Sequence, residues 1–99
     1  MILKINRGTV ELWKDNGSFV CGIGQNNAVD ADLNKEETHI VITLTNGYVE
    51  LRKINGSFVQ YITMGKATKA RFNGTDIAVT MENGKMELRK QNGSFIRYI

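Results

Sequence analysis

The 99-residue sequence contains no proline, one cysteine and one histidine. Without proline its turns depend on asparagine and on ten glycines, residues that accept turn conformations. A single cysteine, Cys21, excludes a disulfide within the chain and favours a reducing compartment. No apolar run is long enough for a signal peptide or a membrane span, so we expect a cytoplasmic protein without a membrane partner.

The same scarcity limits the chemistry available to the chain. His39 and Cys21 together are too few ligands for a zinc site, and no residue near Cys21 in the sequence would activate its thiol. Asp30 and Asp32 alternate along a predicted strand outside any calcium-loop pattern, so we interpret them as a solvated acidic face. We therefore expect no catalytic residue, no metal and no cofactor, and a protein that is not an enzyme.

Charge gives no strong indication of a partner. Lysine and arginine number 13 against 10 acidic residues, a net charge of +3, and the basic residues are scattered along the chain. Nucleic-acid-binding domains usually concentrate them on one surface. We therefore expect nucleic acid not to be the ligand.

An internal repeat dominates the sequence. The segments ELWKDNGSF, ELRKINGSF and ELRKQNGSF, at residues 11–19, 50–58 and 87–95, align without gaps at spacings of 39 and 37 residues. Apolar segments that begin at Ile2, Ile40 and Ile77 precede them. A further segment, which begins at Ala28 or Ala67, precedes only the second and third copies. We divide this single repeat domain into copies at residues 1–24, 25–63 and 64–99.

Each repeated segment has the pattern of a β-strand. Val49 and Leu51 alternate with charged neighbours, a period of two, and no segment has an apolar face at helical spacing. The Asn46-Gly47 and Asn83-Gly84 pairs are typical of type I′ hairpin turns. The sequence therefore predicts an all-β fold of repeated four-stranded antiparallel meanders, with three, four and four strands.

Both faces of such a sheet are apolar in the second copy, where Ile40, Ile42 and Leu44 share one face and Val41 lies on the other. Stacking repeated sheets around an axis buries both faces, which predicts a β-propeller. Propellers close with about four to eight blades, so this chain is predicted to form a partial ring that is completed by oligomerisation. The terminal copies show no polar capping face, and we favour a dimer with six blades, which lacks two inner strands.

Residues 67–98, ATKARFNGTDIAVTMENGKMELRKQNGSFIRY, resemble the WD-repeat pattern of an inner strand, a second strand, a turn, a third strand and an outer strand. Residues 28–61 fit the same pattern, and RGTVELWKDNG matches it at Trp13, where the other copies have Arg52 and Arg89. The resemblance implies a propeller whose partners are proteins. We therefore expect a non-enzymatic binding or scaffolding module that assembles with itself.

Two other interpretations remain open. Bulb-type mannose lectins form a β-prism of three four-stranded sheets in a chain of similar length, which makes a carbohydrate-binding protein the main alternative. The positions that contact sugar in their QxDxNxVxY motif are occupied here by Thr43, Thr45 and Gly47. The near-identical copies also fit a recently amplified repeat protein with no selected ligand.

Candidate partner-binding residues lie on the loops between copies, because binding residues concentrate on loops that a rigid scaffold holds. They are the loop residues Gln25, Asn26, Asn27 and Lys66, and Trp13 in a repeated strand is added to them. The repeated glutamates at positions 11, 50 and 87 are interpreted as partners of the Trp or Arg two residues later, packed between adjacent blades. The repeated phenylalanines, Phe19, Phe58 and Phe95, are predicted to lie in the core.

Overall fold

The computed structural model describes residues 1–24 and 26–99, in which every regular element is a β-strand. The first sheet contains β1 (Ile2–Asn6), β2 (Thr9–Trp13) and β3 (Phe19–Ile23). The second contains β4 (Ala28–Leu33), β5 (His39–Leu44), β6 (Tyr48–Lys53) and β7 (Phe58–Met64). The third contains β8 (Ala67–Asn73), β9 (Asp76–Met81), β10 (Met86–Arg89) and β11 (Phe95–Tyr98).

Each sheet is an antiparallel meander in chain order, so the predicted all-β class and the predicted strand grouping are confirmed. The three sheets are compatible with successive blades of a propeller. No helix in the described ranges is long and apolar enough to cross a membrane.

Glycine and asparagine form the turns of this chain, which contains no proline. Arg7 and Gly8 both have positive φ, 52° and 80°, as a type I′ turn requires. The same prediction for Asn46-Gly47 is wrong, because only Gly47 has positive φ there. Its amide donates to the carbonyl of Leu44 at 2.9 Å, and the Asn46 side chain accepts the amide of Tyr48 at 3.0 Å. Asparagine therefore serves as a side-chain cap for a longer turn. The Asn83-Gly84 turn is built in the same way, so the type I′ prediction is wrong there too.

The second sheet is buried on both faces, as its sequence predicts. Ile40, Ile42 and Leu44 pack toward the first sheet, in a cluster with Val10 and Ile23. The opposite face packs toward the third sheet through a second cluster, which contains Val41, Val49, Leu51, Ile62, Ala67, Ala70, Ile77 and Val79. The protein therefore has two apolar layers, one between each pair of neighbouring sheets.

The first strands of the four-stranded sheets, β4 and β8, make most of the contact between sheets. β8 lies against β4, β5 and β6, and β4 lies against β1 and β2. Ala28, Ala67 and Ala70 are buried in these contacts. Their small side chains let each first strand approach the sheet before it closely.

Two carboxylates of β4 bind β8 across the layer between the second and third sheets. Asp30 forms an ion pair with Arg71, and this hydrogen bond raises the pKa of Arg71 further above its ordinary value. Asp32 accepts the backbone amide of Phe72 at 2.8 Å. The interpretation of Asp30 and Asp32 as a solvated face is therefore wrong, since both carboxylates bind the neighbouring strand.

The repeated phenylalanines lie outside the core, contrary to the prediction. Phe19, Phe58 and Phe95 are 54%, 46% and 46% exposed. Each follows the last turn of its copy, at the start of β3, β7 or β11. Phe58 instead lies under the guanidinium of Arg52, 5.6 Å from its ring centre, and beside Tyr61.

The layer between the second and third sheets contains one polar atom without a partner. The hydroxyl of Thr43 is fully buried, and it makes no hydrogen bond with any described residue. We expect Thr43→Val to raise the free energy of unfolding by about 1 kcal/mol, since it removes a buried group that has no hydrogen bond. Urea unfolding followed by circular dichroism measures the change.

Thr80 is the matched control, because it occupies the aligned position on the third sheet and is half-buried. Thr80→Val should change the stability by no more than about 0.5 kcal/mol. A loss of stability in Thr43→Val would show that the hydroxyl has a partner.

Candidate functional site

The two end sheets each have a face that no other sheet covers in the described chain. Ile2, Ile40 and Ile77 occupy aligned positions on the face toward the preceding sheet, and they are 45%, 0% and 0% exposed. Ile23 and Ile62 are 2% exposed on the opposite face, whereas the aligned Ile99 is 63% exposed. The same side chain is thus buried wherever a neighbouring sheet is present and exposed at both ends.

The open face of the first sheet is more polar than the interior faces. Lys4 and Asn6 stand at the positions that Ile42 and Leu44 occupy in the second sheet. The prediction that the terminal copies have no polar residues on their outer faces is therefore wrong for this sheet. On this face, the apolar Ile2 is followed along β1 by the polar Lys4 and Asn6.

One contact between neighbouring sheets recurs at aligned positions. The thiol of Cys21 lies 3.8 Å from the carbonyl of Ile54, in the last turn of the next sheet. One repeat later, the side-chain amide of Gln60 donates to the carbonyl of Gln91. Arg97 of the third sheet is aligned with the two donors, Cys21 and Gln60, and it is exposed on the open face.

The acceptor aligned with Ile54 and Gln91 is Asp15, in the last turn of the first sheet. Its carboxylate is 83% exposed and lies 3.1 Å from the amino group of Met1. The two end sheets therefore present opposite charges, Asp15 and Arg97, at the positions where Cys21 and Gln60 make neutral contacts inside the stack.

A second contact also recurs. The amide of Ala28 donates to the carbonyl of Gly8 at 2.8 Å, and the amide of Ala67 donates to the carbonyl of Gly47 at 3.0 Å. Gly8 lies in the turn between β1 and β2, and Gly47 lies in the aligned turn between β5 and β6. Gly84 is the aligned glycine of the last copy, and in residues 26–99 no first strand follows to reach its carbonyl.

The repeated glutamates form the predicted side-chain pairs with the residue two positions later on the same strand. The Nε atom of Arg52 donates to Glu50 at 2.9 Å, and its Nη1 atom donates to the carbonyl of Gly56 at 2.8 Å. The third sheet repeats this arrangement with Glu87, Arg89 and Gly93. These arginines therefore clamp the last turn of a copy to its third strand.

The first sheet makes the same link with a different side chain. The indole Nε1 of Trp13 donates to Glu11 at 3.2 Å. The ring of Trp13 also contacts Phe19 edge to face at 5.2 Å and lies under the ammonium of Lys4. Trp13, a predicted partner-binding residue, thus lies on the open face of the first sheet.

Two equivalent crevices lie where a connecting loop enters the next sheet. The first has a volume of about 260 Å³, and its lining comprises Gly24, Asn27, Glu50, Arg52, Phe58 and Tyr61. The second has a volume of about 330 Å³, and its lining comprises Lys66, Met81, Glu82, Asn83, Lys85, Glu87 and Tyr98. Both combine a loop residue with a carboxylate and a tyrosine at aligned positions.

The predicted loop residues have different environments. Asn27 and Lys66 line the two crevices, one in each. The side chain of Asn26 accepts a hydrogen bond from the hydroxyl of Thr9 at 2.7 Å, and its backbone has a φ of 67°. Gln25 lies outside the described residues. The structure therefore distributes these residues over separate crevices and does not bring them together in one patch.

Sequence reasoning missed the end residues Asp15 and Arg97, and it did not group Tyr61 and Tyr98 with the loop residues that share their crevices. The repeat spacing relates Tyr61 to Tyr98, but only the folded sheets show which face they share. Among the described residues, no three His, Cys, Asp or Glu side chains are placed to hold a metal ion. His39 lies at the start of β5, and its Nδ1 is 2.9 Å from the hydroxyl of Thr38.

Comparison with known proteins does not identify a family for this chain. No protein-family model matches the sequence, and no curated protein matches it. The repeat and its geometry are therefore the features of this chain that bear on its function.

The arginine clamp gives a prediction with a control inside the chain. Arg52→Ala should lower the free energy of unfolding by about 2 kcal/mol, because it leaves the buried Glu50 without its charged donor. Arg52→Trp should cost less than half as much, since Trp13 shows that an indole can bond the aligned glutamate. Chemical denaturation of both variants measures the difference.

Equal losses in the two variants would show that the clamp contributes through the carbonyl of Gly56 and not through the glutamate. Lys53→Ala controls for the removal of a neighbouring positive charge, because Lys53 is exposed and carries no side-chain hydrogen bond to a described residue.

Proposed function

We propose that this chain is a non-enzymatic binding and scaffolding module that assembles with a second copy into a six-bladed β-propeller. The aligned isoleucines carry the proposal: Ile40, Ile62 and Ile77 are buried by neighbouring sheets, whereas Ile2 and Ile99 are exposed. Exposed apolar faces of this kind favour association, because covering them removes apolar surface from water.

The repeat geometry specifies how two copies would meet. If the third sheet of one copy packs against the first sheet of the other as neighbouring sheets pack within the chain, Arg97 faces the turn that contains Asp15. This arrangement places a guanidinium beside a carboxylate and a turn carbonyl. Two such contacts, related by twofold symmetry, close the ring.

Protein binding is the favoured use of such a ring. Propeller loops are held rigidly at the ends of the blades, and rigid loops lose little entropy when they bind. The resemblance to WD repeats supports the same assignment, as an analogy of fold.

Carbohydrate binding is the second candidate, and the repeated crevices favour it. Each crevice presents a glutamate and a tyrosine, and the first adds Arg52, so that hydroxyl groups and an apolar sugar face would both find partners. Binding in a glycan array that is lost in both Tyr61→Ala and Tyr98→Ala would establish this function. A chain that binds no glycan in the array would exclude it.

The contact between Arg97 and Asp15 can be tested by exchanging the charges. Light scattering on a sizing column should give the wild type a mass of twice 11.1 kDa. Arg97→Glu should raise the dissociation constant at least about tenfold, because it places two carboxylates together. Asp15→Lys should do the same by placing two cations together.

The double variant, Arg97→Glu with Asp15→Lys, restores opposite charges and should recover the dimer. Lys90→Glu makes the same change of charge at an exposed residue outside the contact. A double variant that is no more dimeric than either single variant would contradict the proposed pairing. A monomeric wild type at every concentration would contradict the ring itself.

A further inference from the structure

One edge of β1 has no partner strand within residues 1–24 and 26–99. β4 pairs with β5 and β8 pairs with β9, but the first sheet has the order β1-β2-β3, and nothing in the described chain pairs with the other edge of β1. Asn6 and Thr9 flank a two-residue turn and therefore exchange backbone hydrogen bonds. By alternation, Leu3 and Ile5 direct their amides and carbonyls toward the open edge.

The two first strands that are present show what would fit this edge. β4 begins AVDADL and β8 begins ATKARF, so both have alanine at positions 1 and 4 and a large apolar residue at position 6. The buried alanines allow close packing against the preceding sheet. In the same register, position 1 would lie beside Asn6, position 4 beside Lys4 and position 6 beside Ile2.

Charge adds two further requirements. Position 3 of β4 is Asp30, which binds Arg71 at position 5 of the following first strand. One repeat earlier, position 3 of an added strand would face Asp32, so a basic residue is favoured there.

Position 5 of β4 is Asp32, which accepts the amide of Phe72 at 2.8 Å. Leu33 of β4 occupies the position of Phe72 in β8. The amide of Asn34 donates to the carbonyl of His39 on β5, so Leu33, one residue earlier, does not use its own amide in that pairing. The amide of Leu33 therefore points away from β5. An acidic residue at position 5 of an added strand would accept it.

We propose that the open edge of β1 is a binding slot for an extended peptide segment of a partner protein. The segment has the pattern small–any–basic–small–acidic–large apolar. It pairs with Leu3 and Ile5 by backbone hydrogen bonds, as an added strand does when it extends a sheet. Its two small residues face away from the second sheet and its two charged residues face toward it.

A second copy of this chain does not supply the segment, because the eleven strands described in that copy are already paired within its own sheets. The peptide segment would be the partner of the proposed binding module. Its position within a closed ring rests on the proposed function. In the ring, the carbonyl of Gly84 from the neighbouring copy would accept the amide at position 1, as Gly8 accepts that of Ala28.

The test uses the full chain and two synthetic peptides of identical composition. The peptide KATKADFN has the proposed pattern, and KATDAKFN exchanges only the two charges. Titration of the isotope-labelled protein, followed by NMR, measures affinity and location, and light scattering on the same sample measures the mass of the protein.

We expect saturable binding of KATKADFN, slower amide exchange at Leu3 and Ile5, and affinity at least about fivefold higher than for KATDAKFN. Asp32→Asn keeps an acceptor for the amide of Phe72 but removes the negative charge, so it should reduce the preference. The slot would be overturned if KATKADFN did not bind, if the protected amides lay outside β1, or if the two peptides bound with equal affinity.

The two proposals fail separately in this experiment. A dimer that binds neither peptide would overturn the slot and leave the ring intact. A monomer that binds KATKADFN along β1 would support the slot and contradict the ring.

Discussion

The fold depends on one packing relationship, that of the first strand of each sheet with the sheet before it. β4 and β8 pair by hydrogen bonds with their own sheets and cover the apolar face of the preceding sheet. Buried alanines permit the close approach, and Asp30 and Asp32 fix the neighbouring strands relative to each other. Hydrophobic burial supplies the driving force, and the directional contacts select one arrangement of the sheets.

The same relationship determines what happens at the ends of the stack. Among the described strands, none covers the outer face of the third sheet and none pairs with the outer edge of β1. Both features arise from the lack of a strand at the equivalent place. The proposed ring and the proposed peptide slot therefore depend on one geometry, and each can be tested without the other.

The sequence was sufficient to predict the strands, because alternation and spacing are local properties. Val49 and Leu51 alternate with charged residues, and three near-identical segments fix the repeat. Those patterns correctly predicted all-β sheets of three, four and four strands. The two apolar faces of the second sheet were also predicted, since Ile40 and Val41 lie on opposite sides of one strand.

The features that depend on neighbouring sheets could not be predicted in this way. Phe58 repeats as a core residue would, yet it is about half exposed and lies under Arg52 of its own sheet. Asp30 looks like a surface residue until Arg71, on another sheet, is placed beside it.

The candidate site shows the same limit. Asn27 and Lys66 were identified as residues of the loops between copies, and both line crevices. The relationship between Arg97 and Asp15 became visible only after the interior contacts of Cys21 and Gln60 had shown which positions face each other.

The radius of gyration in solution, from small-angle X-ray scattering over a series of concentrations, tests the central claim most directly. A single chain has a Cα radius of gyration of 12.7 Å. A compact ring of two chains should give about 16 Å and stay at that value as the concentration rises. A value that remains near 12.7 Å, or one that grows without limit as chains add end to end, would contradict the closed ring.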